Sequence, residues 1–599
     1  MDHQMILILL AVALILFALE ILRPDIIGMC VMIILILTGT VNINEGFSGF
    51  SNPAVITVIA MFILSAGLER TGVADILGKV MLKAAGTNPA LLTMTIMATV
   101  GIMSAFMNNI GATVVLLTPI YAIRRQINYP PSKLLIPLSF GSLMGGLTTL
   151  IGTPPNLLVS MALEEHGFEG FKMFDFLPTG LAIMSVGILY MTFIGRHLIP
   201  NRKSTTDYTQ TYNLEDYMTE VIIPPGSSIA NVELQHAKTL QNINLILISI
   251  RRKENGEEIV ITPNKNTVLK TGDRLLVEGN LEKLFKVIET KDLIIHIKTK
   301  INDDQLTGKD MRLAEVVPSP QSSILGQTIR QANIKYKYGV LALALKKRDK
   351  QLNYKYVDLP LEVGDVMLVQ GTPARLNDIA KNSDFLVINH LEPKIRETSK
   401  APFALASMAF AIIMAATGIM HISVAGIIGV ILMVLSGSVR VNDIYKNVEW
   451  KVIFLIATMM PLGLAMDDEH TGAATWIANQ IINIAGSYGP YVVMGCLLLV
   501  VTLITEVMSN AAAAVLIAPI GISIAVAMNI QPHPFLMAIA VGASTTFLTP
   551  IGHQANVLVY GIGGYKFSDF ARTGFLLNVL IFILAIYLIP IVWPFTAIK

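Results

Sequence analysis

Long apolar runs broken by short polar stretches set the pattern of this chain, and they fall in the same order twice. The first set places apolar runs at about 4–22, 25–40 and 52–69, then an amphipathic stretch over 70–85 that predicts a surface helix. The next run, about 89–107, stops at Met107-Asn108-Asn109-Ile110-Gly111 and returns through 113–123 to Arg124-Arg125, which predicts a re-entrant hairpin. A helix broken at Ile151-Gly152-Thr153-Pro154-Pro155-Asn156 and a closing helix over 178–199 complete the set. The order recurs at 402–420, 423–438 and 447–466, with a surface helix at 472–486 and a hairpin at 488–528 that turns at Met508-Ser509-Asn510-Ala511. A broken helix at 533–562, interrupted at Ile551-Gly552-His553-Gln554-Ala555-Asn556, and a closing helix at 573–595 follow. Pro119 precedes Gly152 by 33 positions, and Pro519 precedes Gly552 by 33. Gly, Pro and Asn inside membrane-length runs leave backbone groups that lipid cannot satisfy, so the matched breaks are expected to line a polar cavity.

Composition agrees with that pattern. At 599 residues, 53% hydrophobic and 14% charged, with mean hydropathy +0.61, the chain reads as a polytopic α-helical membrane protein. Each repeat supplies about five transmembrane helices plus a hairpin, taking about 20 residues per crossing. A net charge of +2 gives no reason to invoke nucleic acid. The first run lacks a basic flank and a small-residue cleavage site, so it reads as a retained helix and not a signal peptide. Cys30 and Cys496, the two cysteines, both sit inside apolar runs and are expected to be buried packing residues, with no disulfide or metal-thiolate site.

Five crossings plus a hairpin is an odd count, so two copies in tandem must have opposite orientation. Arg70, Lys79, Lys83, Arg124, Arg125, Lys133, Arg196, Arg202 and Lys203 fall on one side, joined by Arg440, Lys446, Lys451, Lys566 and Arg572. The loop after the first broken helix carries Glu164, Glu165, Glu169 and Asp175 against Lys172, and 452–565 contains no Lys or Arg. The positive-inside rule then puts the first hairpin in from the cytoplasm, the second in from outside, and both chain ends outside. Between the repeats, the composition turns polar with short alternating strands, predicting two small α+β cytoplasmic domains at 202–298 and 299–398 between transmembrane repeats 1–201 and 399–599. Thr271-Gly272-Asp273 and Val363-Gly364-Asp365 each read as a turn into a buried strand.

On its paired hairpin tips and Gly-Thr-Pro-Pro-Asn break, the sequence resembles the divalent anion/sodium symporters of the ion transporter superfamily, carriers of sulfate or of di- and tricarboxylates. The inserted repeats look like the C-terminal domain of potassium-conductance regulators (TrkA-C-like), without the Gly-x-Gly-x-x-Gly of their nucleotide-binding partner domain. The resemblance implies an elevator-type motion and a homodimer embedded in membrane lipid; the position of the inserted domains at the junction of the halves suits regulation by a cytoplasmic ligand of unknown identity, with help in dimer assembly as the alternative. The family's tips read Ser-Asn-Thr, and here they read Asn108-Asn109-Ile110 and Ser509-Asn510-Ala511. The third-position Thr is missing twice, which favours a small tetrahedral anion over a dicarboxylate.

A dianion needs compensating charge, and these segments offer no Lys or Arg. What remains is the positive end of helix N-termini, hydroxyl and amide donors, and sodium ions. The candidate substrate contacts are Asn108, Asn109, Gly111, Gly152, Thr153, Ser509, Asn510, Gly552 and His553. Those for sodium are Asn109, Gly152, Asn156, Thr505, Ser509, Asn510, Gly552 and Asn556. Asn109 and Asn510 could each serve only as helix caps, but matched amides at two tips favour a site. His553, opposite Thr153 in the repeat, reads equally as a selectivity residue or a structural hydrogen-bonder. Glu506 is rare chemistry for a membrane hairpin and reads as a cation ligand, a water-facing group or a protonated structural one. The expected function is sodium-coupled symport of a divalent oxyanion, sulfate before a C4 dicarboxylate, with no covalent chemistry. Rival classes are a proton-coupled or efflux carrier and a non-transporting anion sensor.

Overall fold

The computed structural model describes residues 3–19, 22–73, 86, 88–126, 129–130, 132–201, 218–237, 246–254, 257–261, 263, 266–278, 293–295, 312–319, 321–347, 359–387 and 398–598. The surface helix expected over 70–85 lies largely outside them, as do Lys79, Lys83, Arg202 and Lys203. The chain divides into two compact units, one made of Met1–Arg202 with Ile395–Lys599 and the other of Lys203–Lys394.

The first unit is helical. Its first half runs α1 (His3–Leu19), α2 (Pro24–Leu37), α3 (Pro53–Arg70), α4 (Pro89–Ser104), α5 (Asn109–Gln126), α6 (Ser132–Gly146), α7 (Pro154–Glu165) and α8 (Leu177–Tyr190). Its second half runs α9 (Ala401–Ala416), α10 (Ile422–Leu435), α11 (Trp450–Met466), α12 (Ala473–Ala485), α13 (Pro490–Thr505), α14 (Asn510–Ala527), α15 (His533–Ser544), α16 (Gln554–Gly563) and α17 (Phe567–Val592). Asn-Pro pairs start α3 and α4, where Asn52 and Asn88 accept the Ala54 and Ala90 N–H groups and Pro takes the first helical position. The halves pack in corresponding ways, with α2 against α11 and α3 against α10, and α6 against α4 and α15 against α13. Glycines permit the closest approach, since a Cβ on Gly145 would stand 2.3 Å from Gly101. The first arms of the two broken helices form the centre: Leu134–Gly146 of α6 and Pro534–Ser544 of α15 are buried throughout, and Phe140 meets Phe547 at 4.7 Å between ring centroids.

Among the described residues, five helices are long and apolar enough to cross a membrane, or six if the bent pair 441–447 and Trp450–Met466 counts as one span. The other apolar helices are shorter than the predicted runs because caps and breaks consume residues at their ends. Cys30 and Cys496 depart from expectation: both are exposed, on the outer faces of α2 and α13. An apolar run in a membrane bundle turns one face outward to lipid, and hydropathy alone does not separate that face from the core.

The second unit contains two antiparallel sheets. The first, ordered β3-β2-β4-β1-β5, is built from β1 (Met218–Ile222), β2 (Ile246–Glu254), β3 (Glu257–Ile261), β4 (Arg274–Glu278) and β5 (Ile294–Ile295). The second, ordered β7-β8-β6-β9, uses β6 (Arg312–Pro318), β7 (Leu341–Lys346), β8 (Val366–Gly371) and β9 (Phe385–Val387). Both Gly-Asp turns have the same chemistry. Gly272 and Gly364 take φ of +85° and +91°, which suits glycine, and Asp273 and Asp365 accept the backbone N–H of Lys270 and Glu362 at 2.8 and 2.9 Å. Asp273 also takes a bidentate pair from Arg252 at 2.8 and 2.7 Å, with the two side chains only 1% and 12% exposed. Asp273→Ala leaves Arg252 nearly buried without its carboxylate, a change that costs roughly 3–5 kcal/mol. Proteolysis inside 203–394 should then begin at lower temperature than in the wild type; unchanged susceptibility would contradict this role.

Candidate functional site

Each hairpin turn is joined by hydrogen bonding to the break that follows it in sequence, and one threonine bond of this kind and the asparagine bonds inside each break recur in both halves. Thr149 donates its hydroxyl to the Ala105 carbonyl, and Thr549 donates to the Glu506 carbonyl at 2.8 Å. Asn156 donates its amide to the carbonyls of Gly146 and Thr149 at 3.2 and 2.8 Å, as Asn556 does to Thr546 and Thr549 at 2.7 and 3.3 Å. These bonds satisfy carbonyls that the helix breaks release inside an apolar bundle. The Nδ2 groups of Asn156 and Asn556 are therefore committed to the backbone. The Oδ1 of Asn556 accepts from Ser139 at 2.6 Å, whereas the buried Oδ1 of Asn156 has no partner. Gly152 and Gly552 are required by close approach: a Cβ would stand 2.4 Å from the Gly146 carbonyl oxygen in one break and 2.8 Å from that of Thr505 in the other. Thr505 itself donates to the Ala543 carbonyl at 3.2 Å.

At the first tip, Asn109 is 3% exposed and opens α5. Ser104 donates to its Oδ1 at 2.5 Å, Ser142 donates to its backbone carbonyl at 2.8 Å, and its Nδ2 lies 3.4 Å from Nε2 of His553. His553 caps α16 by accepting the Ala555 N–H on Nδ1 at 3.0 Å, so in the neutral ring the proton sits on Nε2, and Asn109 Nδ2 and His553 Nε2 are neighbouring donors that share no hydrogen bond and are both open to an acceptor. One tip and the opposite break thus meet across 444 positions. Asn108 turns elsewhere, accepting from Ile110 N–H at 3.0 Å and donating to Glu449 at 2.7 Å. Gly111 borders open space, with nothing within 4 Å of where a Cβ would be.

The second tip is less satisfied. Ser509 is exposed and caps α14 by accepting the Ala512 N–H at 3.3 Å. Asn510, 7% exposed, has no partner for either Nδ2 or Oδ1, and the hydroxyl of Thr153, 2% exposed, also lacks one. Tips and breaks together, 104–113, 146–156, 505–512 and 545–556, contain no Lys or Arg. The arrangement offers amide and imidazole N–H groups with two helix N-termini for an anion, and amide, hydroxyl and carbonyl oxygens for a small hard cation.

Glu506 is the residue whose role the sequence left open. Its carboxylate, 5% exposed, accepts the backbone N–H of Phe547 and Leu548 on Oε1 at 3.0 and 2.9 Å and of Thr549 on Oε2 at 2.8 Å, with Asn578 Nδ2 at 3.4 Å. Donors converge on both oxygens, the arrangement of an ionised carboxylate that anchors the second break to the second hairpin. Ala105 holds the corresponding place in the first half, where no carboxylate does this. Glu506→Gln places an amide N–H against a backbone N–H and should cost about 1–3 kcal/mol. A lower thermal midpoint is expected for the purified variant, and a larger drop for Glu506→Ala; an unchanged midpoint in both would contradict the anchor.

The family described as CitMHS, citrate transporter, matches residues 14–527 and 469–599. The uncharacterized transporter sll0640 of Synechocystis sp. is 33% identical over 590 residues, covering 97% of this chain and 96% of that protein. The putative sulfur deprivation response regulator of Chlamydomonas reinhardtii is 24% identical over 576 residues, covering 93% and 96%. Sodium/sulfate cotransporter 1 of the same alga is 25% identical over 356 residues, covering 56% of this chain and 39% of its own length. With a family match over most of its length and a full-length likeness to a transporter, the chain belongs to the citrate transporter family of secondary transporters.

Proposed function

We propose that this chain is a sodium-coupled symporter of a divalent oxyanion, sulfate before others, working as a homodimer by an elevator-type displacement of the hairpins and broken helices. In this reading the halves are inverted across the membrane, the termini lie outside, and Lys203–Lys394 forms the two cytoplasmic TrkA-C-like domains. Those domains supply neither tip nor break, which suits regulation by a cytoplasmic ligand.

The observation that carries the reading is Asn510, a buried amide with no protein partner for either of its polar atoms. A buried polar group left unmatched costs about 1–3 kcal/mol, so its position at a helix N-terminus suits a bound ligand or ion. Asn109 holds the equivalent place at the other tip, beside the Nε2 of His553. With no Lys or Arg in these segments, a dianion depends on sodium for charge balance, and the free Oδ1 atoms of Asn156 and Asn510 are oxygens of the kind sodium takes. The algal relatives' names, one sodium/sulfate and one sulfur-responsive, support sulfate; the family description, which names citrate, makes a carboxylate the second reading.

Asn510→Ala and Asn109→Ala should each lower sodium-dependent sulfate uptake into proteoliposomes by on the order of tenfold to a hundredfold at subsaturating sulfate, with little loss of thermal stability. Replacing sodium with choline should abolish wild-type uptake. Uptake that persists in choline would replace sodium coupling with another driving ion, and wild-type uptake by a folded Asn109→Ala, Asn510→Ala double variant would remove the tips from the site.

A further inference from the structure

His166 lies just past the end of α7 and is held between two acceptors. Its Nδ1 is 2.8 Å from the Ala162 carbonyl and its Nε2 is 2.8 Å from Oδ1 of Asp467, which caps the end of α11. A carbonyl and a carboxylate can only accept, so both bonds exist together only when both ring nitrogens carry protons. In this conformation the ring is an imidazolium.

The contact links parts that the transport reading separates. α7, the second arm of the first broken helix, packs on α14 and α15, whereas α11 packs along α2 and reaches the broken-helix group through α14. A second bond beside it makes a similar link: Asn52, the cap of α3, donates to Glu165 at 3.3 Å. The other charged groups nearby are Glu164 and Glu165 on α7, Asp468 and Glu469 after α11, His470 with Glu45 at 3.5 Å, and His421 at the cap of α10. α14 brings no charged residue, and α15 brings only His533, which bonds the Glu169 carbonyl at 2.9 Å.

We propose that His166 and Asp467 form a proton-operated tie, which holds the first broken helix to the end of α11 in the conformation described and releases it when the ring loses a proton. Its consequence for transport rests on the function proposed above; the tie itself does not. Deprotonation leaves an imidazole lone pair facing either a carbonyl or a carboxylate at 2.8 Å, so one bond turns repulsive. Burial pushes the ring's pKa down, but the hydrogen bond to Asp467 and that carboxylate's charge outweigh it and leave the pKa raised above 6.5. A raised folded-state pKa means the tie is complete below the ordinary imidazole value and is lost as pH rises through the higher one.

The test uses the full-length protein with Cys30→Ser and Cys496→Ser, spin-labelled at Glu169→Cys and Glu469→Cys, both exposed positions near the two ends of the tie. Label-to-label distances are measured from about pH 5 to about pH 9, across the range in which histidine titrates. The wild-type pair should show one distance at low pH and a growing second population above about pH 6.5, the ratio changing by up to about tenfold per pH unit for one proton. Asp467→Asn and His166→Gln should each remove this pH dependence. A distribution that does not change with pH in the otherwise wild-type protein would overturn the proposal, as would pH dependence that survives His166→Gln. Sodium-dependent uptake should lose the corresponding pH response in His166→Gln. Absence of uptake at every pH would contradict the transport reading alone, because the distances judge the tie directly.

Discussion

Backbone groups released inside an apolar bundle must find partners within the protein, and this constraint shapes the whole helical unit. Two helices are broken and two hairpins turn where lipid offers no hydrogen bonds. Asn156 and Asn556 each bind two carbonyls of their own break, and Thr149 and Thr549 each fasten a break to the hairpin turn in the same half. Glu506 adds three backbone N–H bonds in the second half alone. With the scaffold's own needs met in this way, the polar atoms still unpaired at the tips and breaks, on Asn510, Thr153, Asn156 and Thr546, are the ones left without a protein partner.

This division between structural and available groups also explains why the halves are not interchangeable. At the first tip Ser104 and Ser142 bind the amide oxygen and backbone carbonyl of Asn109, whereas at the second both polar atoms of the Asn510 amide are open. The first half puts Thr153 where the second puts His553, and the first hairpin lacks the carboxylate that the second has. An anion and a cation sharing a site without Lys or Arg need unlike surroundings, and a repeat with substitutions at a few positions supplies them.

The broad design was legible in the sequence because Gly, Pro and Asn interrupt membrane-length runs at matched positions, and the hairpin turns and breaks lie at those interruptions. The Gly-Asp turns of the second unit were legible for the same reason, since glycine at positive φ followed by an acceptor is a local signal. Partnerships over long distances in sequence were not. Nothing near Asn108 announces Glu449, 341 positions away, and the motif at Asn556 does not distinguish an amide bound to carbonyls from one bound to an ion. Glu506 stood out as a charge in an apolar arm, but its role depends on backbone at 547–549, which only the folded chain brings to it. The exposed cysteines show the remaining gap, because lipid-facing and core-facing positions have the same hydropathy.

The central claim is that sodium and an oxyanion bind together where the tips and breaks meet. The most direct measurement is the thermal stability of the purified intact protein with sulfate, thiosulfate, phosphate, succinate or citrate, each in sodium and in choline. A ligand at about a hundred times its Kd adds about 2.7 kcal/mol to folding. Sulfate with sodium should raise the melting temperature by more than the sum of the two alone, and sulfate in choline should have little effect. Stabilisation by sulfate that is equal in sodium and choline, or no stabilisation by any of these anions in sodium, would contradict a shared site.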